Sequence, residues 1–228
     1  MSIESSSERA LRDAIVATAR RMNALGINRG KSGNVSARLR GGGFDGYLVT
    51  PTGVPYDETA PEDVVAMPLE GDETAAPGAL LPSSEWRFHR DVYATRPDVD
   101  AVVHTHSPFA TTLACVDRGI PPFHYMVAVA GGADIRCAPY ATFGTQALSD
   151  HALAALVGRR ACLLSHHGMI AVGATLNAAL ALAVEVETLA EIYWRVLQIG
   201  EPTLLSTAEM DRVLDRFRTY GQPHDGLR

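Results

Sequence analysis

Residues 84–106 read SEWRFHRDVYATRPDVDAVVHTH and join a helix pattern to a strand pattern. In the first half, apolar side chains recur with helical spacing, which predicts a helix over residues 84–94. The second half, residues 101–106, is a short, valine-containing apolar run that is typical of a strand. Residues 151–172 repeat this order, with a helix pattern up to residue 157 followed by another apolar run. Both stretches therefore place a helix directly before a strand.

The rest of the chain adds helices at both ends and strands near its start. Capping-box spacing, helical periodicity and terminal glycines predict three more helices: Ser5 to about Gly26, Asn177 to Ile199, and Ser206 to Phe217. Residues 34–38 and 46–50 are strand candidates on either side of a glycine run at 41–43, which indicates a hairpin turn. Residues 70–81 are Gly-rich and acidic and are expected to form a surface excursion.

The order of these elements indicates the fold class. Helices flank strands without a regular βαβ rhythm, which favours a mixed α/β fold with a mainly antiparallel central sheet covered by helices. With 228 residues, 46% of them hydrophobic, the chain is long enough for one substantial core and short for two. A single domain over residues 1–228 is therefore expected.

The net charge and the N-terminal sequence limit the kinds of partner that are expected for this protein. A net charge of −6 gives no general attraction to nucleic acid or to an anionic membrane, so any phosphate should bind in a local pocket. The polar N-terminus does not have the pattern of a signal peptide, and the apolar stretch 178–197 carries several charges. Three widely spaced cysteines, expected to be small buried residues, fit a reducing compartment. A cytoplasmic protein with a small-molecule partner, and with no nucleic-acid or membrane partner, is expected.

A histidine constellation indicates a metal site. His104 and His106 are two residues apart, and on a strand this spacing sends both imidazoles to the same face. A second apolar strand ends in His166-His167-Gly168, and one of its two histidines can supply a third ligand. Such a set suits Zn²⁺ in a catalytic site. The alternative for an isolated HxH pair is two hydrogen-bonded, half-buried histidines, but the third strand-end histidine favours the metal.

The other histidines receive no role from the sequence. His89, His151 and His224 fall in helical or terminal contexts and are expected to be ordinary surface residues.

Three loops offer donors for a phosphate. Ser83 and Ser84 precede a helix, where free backbone N–H groups and the helix dipole favour an anion. The loops 31–34 and 51–53 each combine a glycine with a side-chain donor, as in anion-binding nests. Simple helix capping by a serine is the alternative for the first loop. Glu85 lies just beyond it and can act as metal ligand and general base, or merely stabilise the helix dipole.

At these motifs the chain resembles the class II aldolase/adducin family. The resemblance runs nearly the whole length of the chain, through the segments GNVS, TPTGVPY, LPSSEWRFH, RPDVDAVVHTHS, IPPFHYM, CAPYATFGT, LLSHHGMIA, EVETLAEIYW and RFRTYG. It implies metal-dependent cleavage of a ketose 1-phosphate, such as L-fuculose 1-phosphate, into dihydroxyacetone phosphate and an aldehyde such as L-lactaldehyde. It also implies a homotetramer with the active site at the subunit interface.

The resemblance assigns roles residue by residue. It implies one Zn²⁺ per subunit, held by Glu85, His104, His106 and His167. It implies a phosphate pocket formed by Gly33, Asn34, Thr52, Gly53, Ser83 and Ser84. Tyr125 and Tyr220 resemble tyrosines that reach the site of a neighbouring subunit, with Tyr125 exchanging a proton at the aldehyde oxygen, and Phe143 is expected to line the aldehyde pocket.

Two alternatives remain at this stage. A pentulose-phosphate 4-epimerase, a dehydratase or a decarboxylase would use the same scaffold and metal. A non-catalytic adducin-like interaction module should have lost metal ligands, whereas all four are present here. A Schiff-base mechanism is disfavoured because Lys31, the only lysine, sits in a Gly-rich loop without an apolar pocket.

Overall fold

A central sheet runs through the computed structural model, which describes residues 6–41, 44–70 and 80–219. Its order is β3-β2-β1-β4-β7-β6-β5, and every neighbouring pair is antiparallel except β5 with β6. The strands are β1 (Asn34–Gly41), β2 (Phe44–Val49), β3 (Val65–Pro68), β4 (Ala101–Thr105), β5 (Cys137–Ala138), β6 (Ala161–Leu164) and β7 (Gly168–Gly173). The predicted mixed α/β class with a mainly antiparallel sheet is confirmed.

Helices cover both faces of this sheet. They are α1 (Ser6–Ala24), α2 (Trp86–Thr95), α3 (Pro108–Ala114), α4 (Gln146–Leu156), α5 (Leu176–Ile199) and α6 (Thr207–Thr219), with short 3₁₀ helices at Pro61–Asp63 and Tyr125–Ala130. Among the described helices, none is both long enough and apolar enough to cross a membrane.

Strand alternation divides the core into two layers. Ala101 and Val103 of β4 pack in the layer that contains α1, α3 and α5. Val102 packs in the opposite layer, against α2 and α4. Successive side chains on a strand point to opposite faces, so His104 shares the face of Val102. Its ring accordingly meets the ring of Phe88 from α2 edge-on, with 5.5 Å between centroids.

The structure differs from the sequence-based expectations mainly in short elements. The sequence did not predict α3, β3, β5 or the 3₁₀ helix at Tyr125–Ala130, because elements of two to seven residues give little periodicity. Helix α4 begins before the predicted residue 151, because the Thr145 hydroxyl caps it by accepting from the Leu148 amide at 3.3 Å. The two strands of the predicted hairpin pair as expected.

One expectation about the cysteines is wrong. Cys162 is buried, but Cys137 is only partly buried and Cys115 is exposed just after α3. Several other expectations lie outside the described residues: the Ser5 cap, the glycines at 42 and 43, most of the acidic excursion, Tyr220 and His224.

Candidate metal centre

Three chain segments bring the four predicted ligand side chains to the end of the central strands. His104 lies near the end of β4, paired with Asn34 of β1 on one side and with Ile170 of β7 on the other. His106 follows that strand directly. Glu85 immediately precedes α2, and His167 immediately precedes β7. The four residues meet because β4 and β7 are adjacent and α2 packs over their common face.

The four ligand atoms converge tightly. Glu85 Oε2 lies 3.1 Å from His104 Nε2, and Glu85 Oε1 lies 3.1 Å from His167 Nε2. The Nε2 atoms of His104 and His106 are also 3.1 Å apart. The three imidazole rings stand nearly perpendicular to one another, with 4.9 Å between each pair of centroids. One atom from each residue therefore points at a common volume, within 4.8 Å of the others.

Backbone contacts select the ligand atom of His104. Its Nδ1 lies 2.9 Å from the carbonyl oxygen of Met169, which only accepts, so Nδ1 carries the proton and donates it. This leaves Nε2 with a free lone pair directed at the cluster, the arrangement that metal-bound histidines show in proteins. Gly168 makes the approach of β7 possible, because a Cβ there would lie 2.4 Å from the carbonyl oxygen of Thr105.

The donor set fits a divalent metal. Glu85 Oε1 is fully buried, and among the described residues no hydrogen bond of acceptable geometry reaches it. A buried carboxylate oxygen without a donor is costly unless a cation takes that place. Three imidazole nitrogens and a carboxylate are ligands that Zn²⁺ accepts. This group of side chains can therefore hold a metal ion.

The protonation states suit that role. Burial would raise the pKa of Glu85, but positive charge carried beside it by the imidazoles of His104 and His167 outweighs burial and holds the pKa well below its usual range, and a cation bound among neutral imidazoles would act in the same direction. Burial, reinforced by the two neighbouring imidazoles, lowers the pKa of His106 to about 4. At neutral pH the carboxylate is charged and His106 is neutral, as metal binding requires.

A cavity of about 250 Å³ opens onto the cluster. Its lining residues are Ser32, Ser84, Glu85, His106, Tyr140, Ala141, Phe143, His166 and His167. Phe143 and Tyr140 are large and largely exposed, at 66% and 60%, so they give one wall an apolar surface. His166 adopts a left-handed backbone (φ 53°) in the turn before β7 and lines the cavity beside Tyr140, while His167 faces Glu85.

The three predicted phosphate loops lie side by side at this end of the sheet. The Ser83 amide donates to the Thr50 carbonyl, and the Thr52 amide donates to the Leu81 carbonyl, each at 3.0 Å. The Lys31 ammonium donates to the Gly53 carbonyl at 2.8 Å. These bonds join the loop at 51–53 to the segment before α2 and to the loop at 31–34.

Gly33 lies in close contact with the metal-ligand strand. A Cβ on Gly33 would lie 2.5 Å from the carbonyl oxygen of His104 and 2.8 Å from Asn28 Oδ1. Tyr56 donates a hydrogen bond from its hydroxyl to the Gly33 carbonyl. The loop is therefore packed against β4, and only a residue without a side chain fits there.

Residues 13–194 match the family model described as Class II Aldolase and Adducin N-terminal domain. The chain belongs to the class II aldolase and adducin family. It is 58% identical over 212 residues to a 5-methylthioribulose-1-phosphate/5-deoxyribulose-1-phosphate aldolase of Rhodospirillum rubrum, and the matched region covers 93% of each chain. It is 48% identical over 208 residues to the L-fuculose phosphate aldolase of Escherichia coli K12, covering 91% of this chain and 94% of the relative.

The fold is also similar to that of an aldolase whose structure is known. A solved structure of an L-fuculose 1-phosphate aldolase superposes with a TM-score of 0.86 at 36% identity, and the match covers 96% of this chain and all (100%) of the other. The resemblance inferred from the motifs is thus confirmed. These relatives are all named aldolases, which confirms the prediction of an aldehyde-lyase.

Of the two remaining aromatic residues that were predicted for the site and lie within the described residues, one lines the cavity and the other does not. Phe143 lines the cavity beside the predicted ligands, and its contact with an aldehyde stays a prediction. Tyr125 does not: it lies on the 3₁₀ helix, is 51% exposed and stacks on Phe217 of α6 with 6.5 Å between centroids. Tyr125 is therefore not among the residues that line the cavity in the described structure.

The expectation that His89 is an ordinary surface histidine is wrong. Its side chain is fully buried (0% exposed) on the inner face of α2, 2.6 Å from both Asn34 and Ser36. Helical spacing gave only the side of the helix, because His89 lies three residues before the buried Val92 on the inner face of α2, whereas its partners on β1 depend on the sheet. The Asn34 side chain also donates from Nδ2 to Glu85 Oε2 at 2.9 Å, so its amide lies between the Glu85 carboxylate and the His89 ring.

Sequence reasoning also missed Glu187. Its carboxylate is 9% exposed within α5 and accepts from the amides of Phe109 and Ala110 at 2.8 Å each. These are the free donors at the start of α3, because Pro108 has no N–H and the Thr111 amide donates to the Ser107 carbonyl at 2.9 Å. Helix α3 begins two residues after His106, so Glu187 anchors the chain just beyond a predicted ligand.

Proposed function

We propose that this chain is a zinc-dependent aldolase that cleaves ketose 1-phosphates into dihydroxyacetone phosphate and a short aldehyde. The observation that carries the proposal is the convergence of Glu85, His104, His106 and His167 at the floor of a cavity with an aromatic wall. A catalytic metal site needs protein ligands at the metal and open space beside it for substrate. The non-catalytic adducin-like alternative has no need of this combination.

The preferred substrates are proposed to be 5-deoxyribulose 1-phosphate and 5-methylthioribulose 1-phosphate, with L-fuculose 1-phosphate as a slower substrate. The 58% identity to the Rhodospirillum rubrum aldolase, against 48% to the Escherichia coli enzyme, supports this order. So does the apolar surface of Phe143 and Tyr140, which suits a C5 that carries only hydrogen or a methylthio group better than the hydroxylated C5 of L-fuculose 1-phosphate.

Different side chains of the protein carry out the binding and proton-transfer steps of the proposed reaction. The loops that contain Gly33, Thr52 and Ser84 hold the phosphate and fix the sugar in the cavity. A tyrosine, Tyr125 from a neighbouring subunit, takes the proton of the C4 hydroxyl while the C3–C4 bond breaks and C4 becomes the aldehyde carbon. Glu85 carries the proton at C3, which it gives in cleavage and removes in condensation. A bound metal would polarise the ketone and offset the negative charge that develops on the C3 side.

The proposed assembly is a homotetramer in the cytoplasm with its active sites at subunit interfaces. The exposed position of Tyr125, outside the cavity of its own chain, supports an action across an interface. Tyr220 is proposed to act in the same way.

A substrate panel tests the proposed reaction and its preference. The panel contains the three ketose 1-phosphates, and dihydroxyacetone phosphate is measured with an NADH-coupled dehydrogenase. We expect kcat/KM for the two 5-deoxy substrates to exceed that for L-fuculose 1-phosphate by about tenfold, the usual value of one well-placed apolar contact. The variant Phe143→Ala should lose most of this preference.

The same samples separate the rival activities. Products are also followed by NMR, which distinguishes an epimer, a dehydrated ketose and a decarboxylated sugar from the two cleavage products. Consumption of substrate without dihydroxyacetone phosphate would contradict the aldolase and identify the alternative. Equal rates on all three ketoses would contradict the preference alone.

A further inference from the structure

A chain of buried polar side chains leads from the core to the Glu85 carboxylate. Asn34 Nδ2 lies 2.9 Å from Glu85 Oε2, and Asn34 Oδ1 lies 2.6 Å from His89 Nε2. On the other side of the ring, His89 Nδ1 lies 2.6 Å from Ser36 Oγ, which lies 2.7 Å from the Tyr93 hydroxyl. All five residues are at most 5% exposed.

The carboxylate fixes the direction of every bond in this chain. Ionised Glu85 only accepts, so the Asn34 amide nitrogen faces it and the amide oxygen faces His89. That oxygen also only accepts, so His89 carries its proton on Nε2. Nδ1 must then accept from the Ser36 hydroxyl, and the Ser36 oxygen accepts from Tyr93. Each group therefore has one possible role, and all the protons point towards Glu85.

Burial makes this arrangement rigid. A buried donor or acceptor that loses its partner costs roughly 1–3 kcal/mol, so rotating one member of the chain leaves its neighbours unsatisfied. Burial also lowers the pKa of His89 to about 3, so the ring stays neutral and keeps this tautomer. This rigid chain gives the two carboxylate oxygens of Glu85 different surroundings. Oε2 is held by Asn34, whereas Oε1 faces His167 without any donor among the described residues.

We propose that His89 is a positioning residue for Glu85: through Asn34 and Ser36 it locks the carboxylate in the orientation that holds Oε2 beside His104 and directs Oε1 at His167, so that both oxygens face the site where the metal and the substrate would bind. His89 itself lines no part of the cavity in the described structure. Its effect on proton transfer rests on the proposed function, whereas its effect on metal binding does not.

The test compares three variants of the full-length protein. His89→Leu keeps the approximate volume and removes both ring nitrogens. His89→Gln keeps an N–H donor at about the reach of Nε2. Val92→Ala, one turn further along α2, is the control for lost stability, because Val92 is fully buried (0% exposed) and has no polar contact with the site. Ser36→Ala provides a milder break in the chain if His89→Leu does not fold.

Two readouts are used on each folded variant. The first is the dissociation constant of Zn²⁺ alone, measured by competition with a chromophoric chelator. The second is the exchange of the C3 proton of dihydroxyacetone phosphate with D₂O, followed by NMR with zinc saturating. This exchange reports proton transfer by Glu85 without any aldehyde.

We expect His89→Leu to weaken zinc binding and to slow exchange by about 10–100-fold each, the usual cost of losing a partner behind a metal ligand. His89→Gln should stay within about threefold of wild type, and Val92→Ala should match wild type in both readouts. Ser36→Ala should fall between these limits. Unchanged values in His89→Leu, or equal losses in Val92→Ala, would overturn the proposal. Absence of exchange in the wild type would instead refute the proposed function, and zinc affinity would still decide the role of His89.

Discussion

The carboxylate of Glu187 gives a sharp prediction, because among the described residues it is the acceptor for the free amides of Phe109 and Ala110 at the start of α3. In Glu187→Ala, the amides of Phe109 and Ala110 lose two charge-assisted hydrogen bonds of 2.8 Å to a residue that is only 9% exposed. Each such bond has a net value of about 1.5–3 kcal/mol, and removing a buried carboxylate recovers part of this. We therefore expect the free energy of unfolding to fall by about 2–4 kcal/mol.

The assay is urea unfolding of the metal-free protein at fixed concentration, followed by circular dichroism. The matched control is Glu191→Ala, one turn along the same helix, where an exposed carboxylate pairs with Arg195. Losing that surface pair should cost at most about 0.5 kcal/mol. Because α3 begins just after His106, Glu187→Ala should also weaken zinc binding, whereas Glu191→Ala should not. Equal effects of the two substitutions on stability would refute this account of how α3 is anchored.

Three further predictions concern the interface, the close packing and the acid response. If Tyr125 acts across an interface, assemblies that mix Tyr125→Phe chains with Glu85→Gln chains should regain activity. Random assortment would give an intact Glu85 and an intact Tyr125 to about a quarter of the sites. No recovery of activity would place Tyr125 in the site of its own subunit. Gly33→Ala should cost about 1–3 kcal/mol in urea unfolding and reduce kcat/KM, since its Cβ would lie 2.5 Å from the His104 carbonyl; wild-type stability would contradict this. Burial, reinforced by His104, lowers the pKa of His89 in the folded chain to about 3. Between about pH 6.5 and pH 3, His89 is therefore protonated in the unfolded chain but not in the folded chain. Stability of the metal-free protein should therefore fall as pH falls through this window, with a shallower slope in His89→Gln, and parallel slopes would contradict the burial argument.

Much of the architecture was readable from patterns with strong periodicity. The helix and strand in residues 84–106 appear as α2 and β4, and the two-residue spacing of His104 and His106 put both rings on one face. A third ligand from His166 or His167 was also foreseeable, because this pair follows a second apolar run and precedes a glycine, and the family resemblance singled out His167. The family resemblance then supplied Glu85 as the carboxylate, and the structure brings it to the same point.

What the sequence hid were contacts between residues far apart along the chain. Glu187 reads as one more charge on an apolar helix, and its role appears only where α5 crosses the start of α3. His89 reads as a polar residue in a helix, and its burial depends on β1 bringing Asn34 and Ser36 beside it. Such roles follow from sheet order and register, which local periodicity does not specify.

The most direct test of the central claim is a zinc titration of metal-free protein with 5-deoxyribulose 1-phosphate as substrate. Release of dihydroxyacetone phosphate should be absent without metal, rise linearly with added zinc and saturate at one zinc per chain. His104→Ala should show no such rise. Full release in the presence of a strong chelator, or stoichiometric zinc binding without cleavage of any ketose 1-phosphate, would contradict that claim.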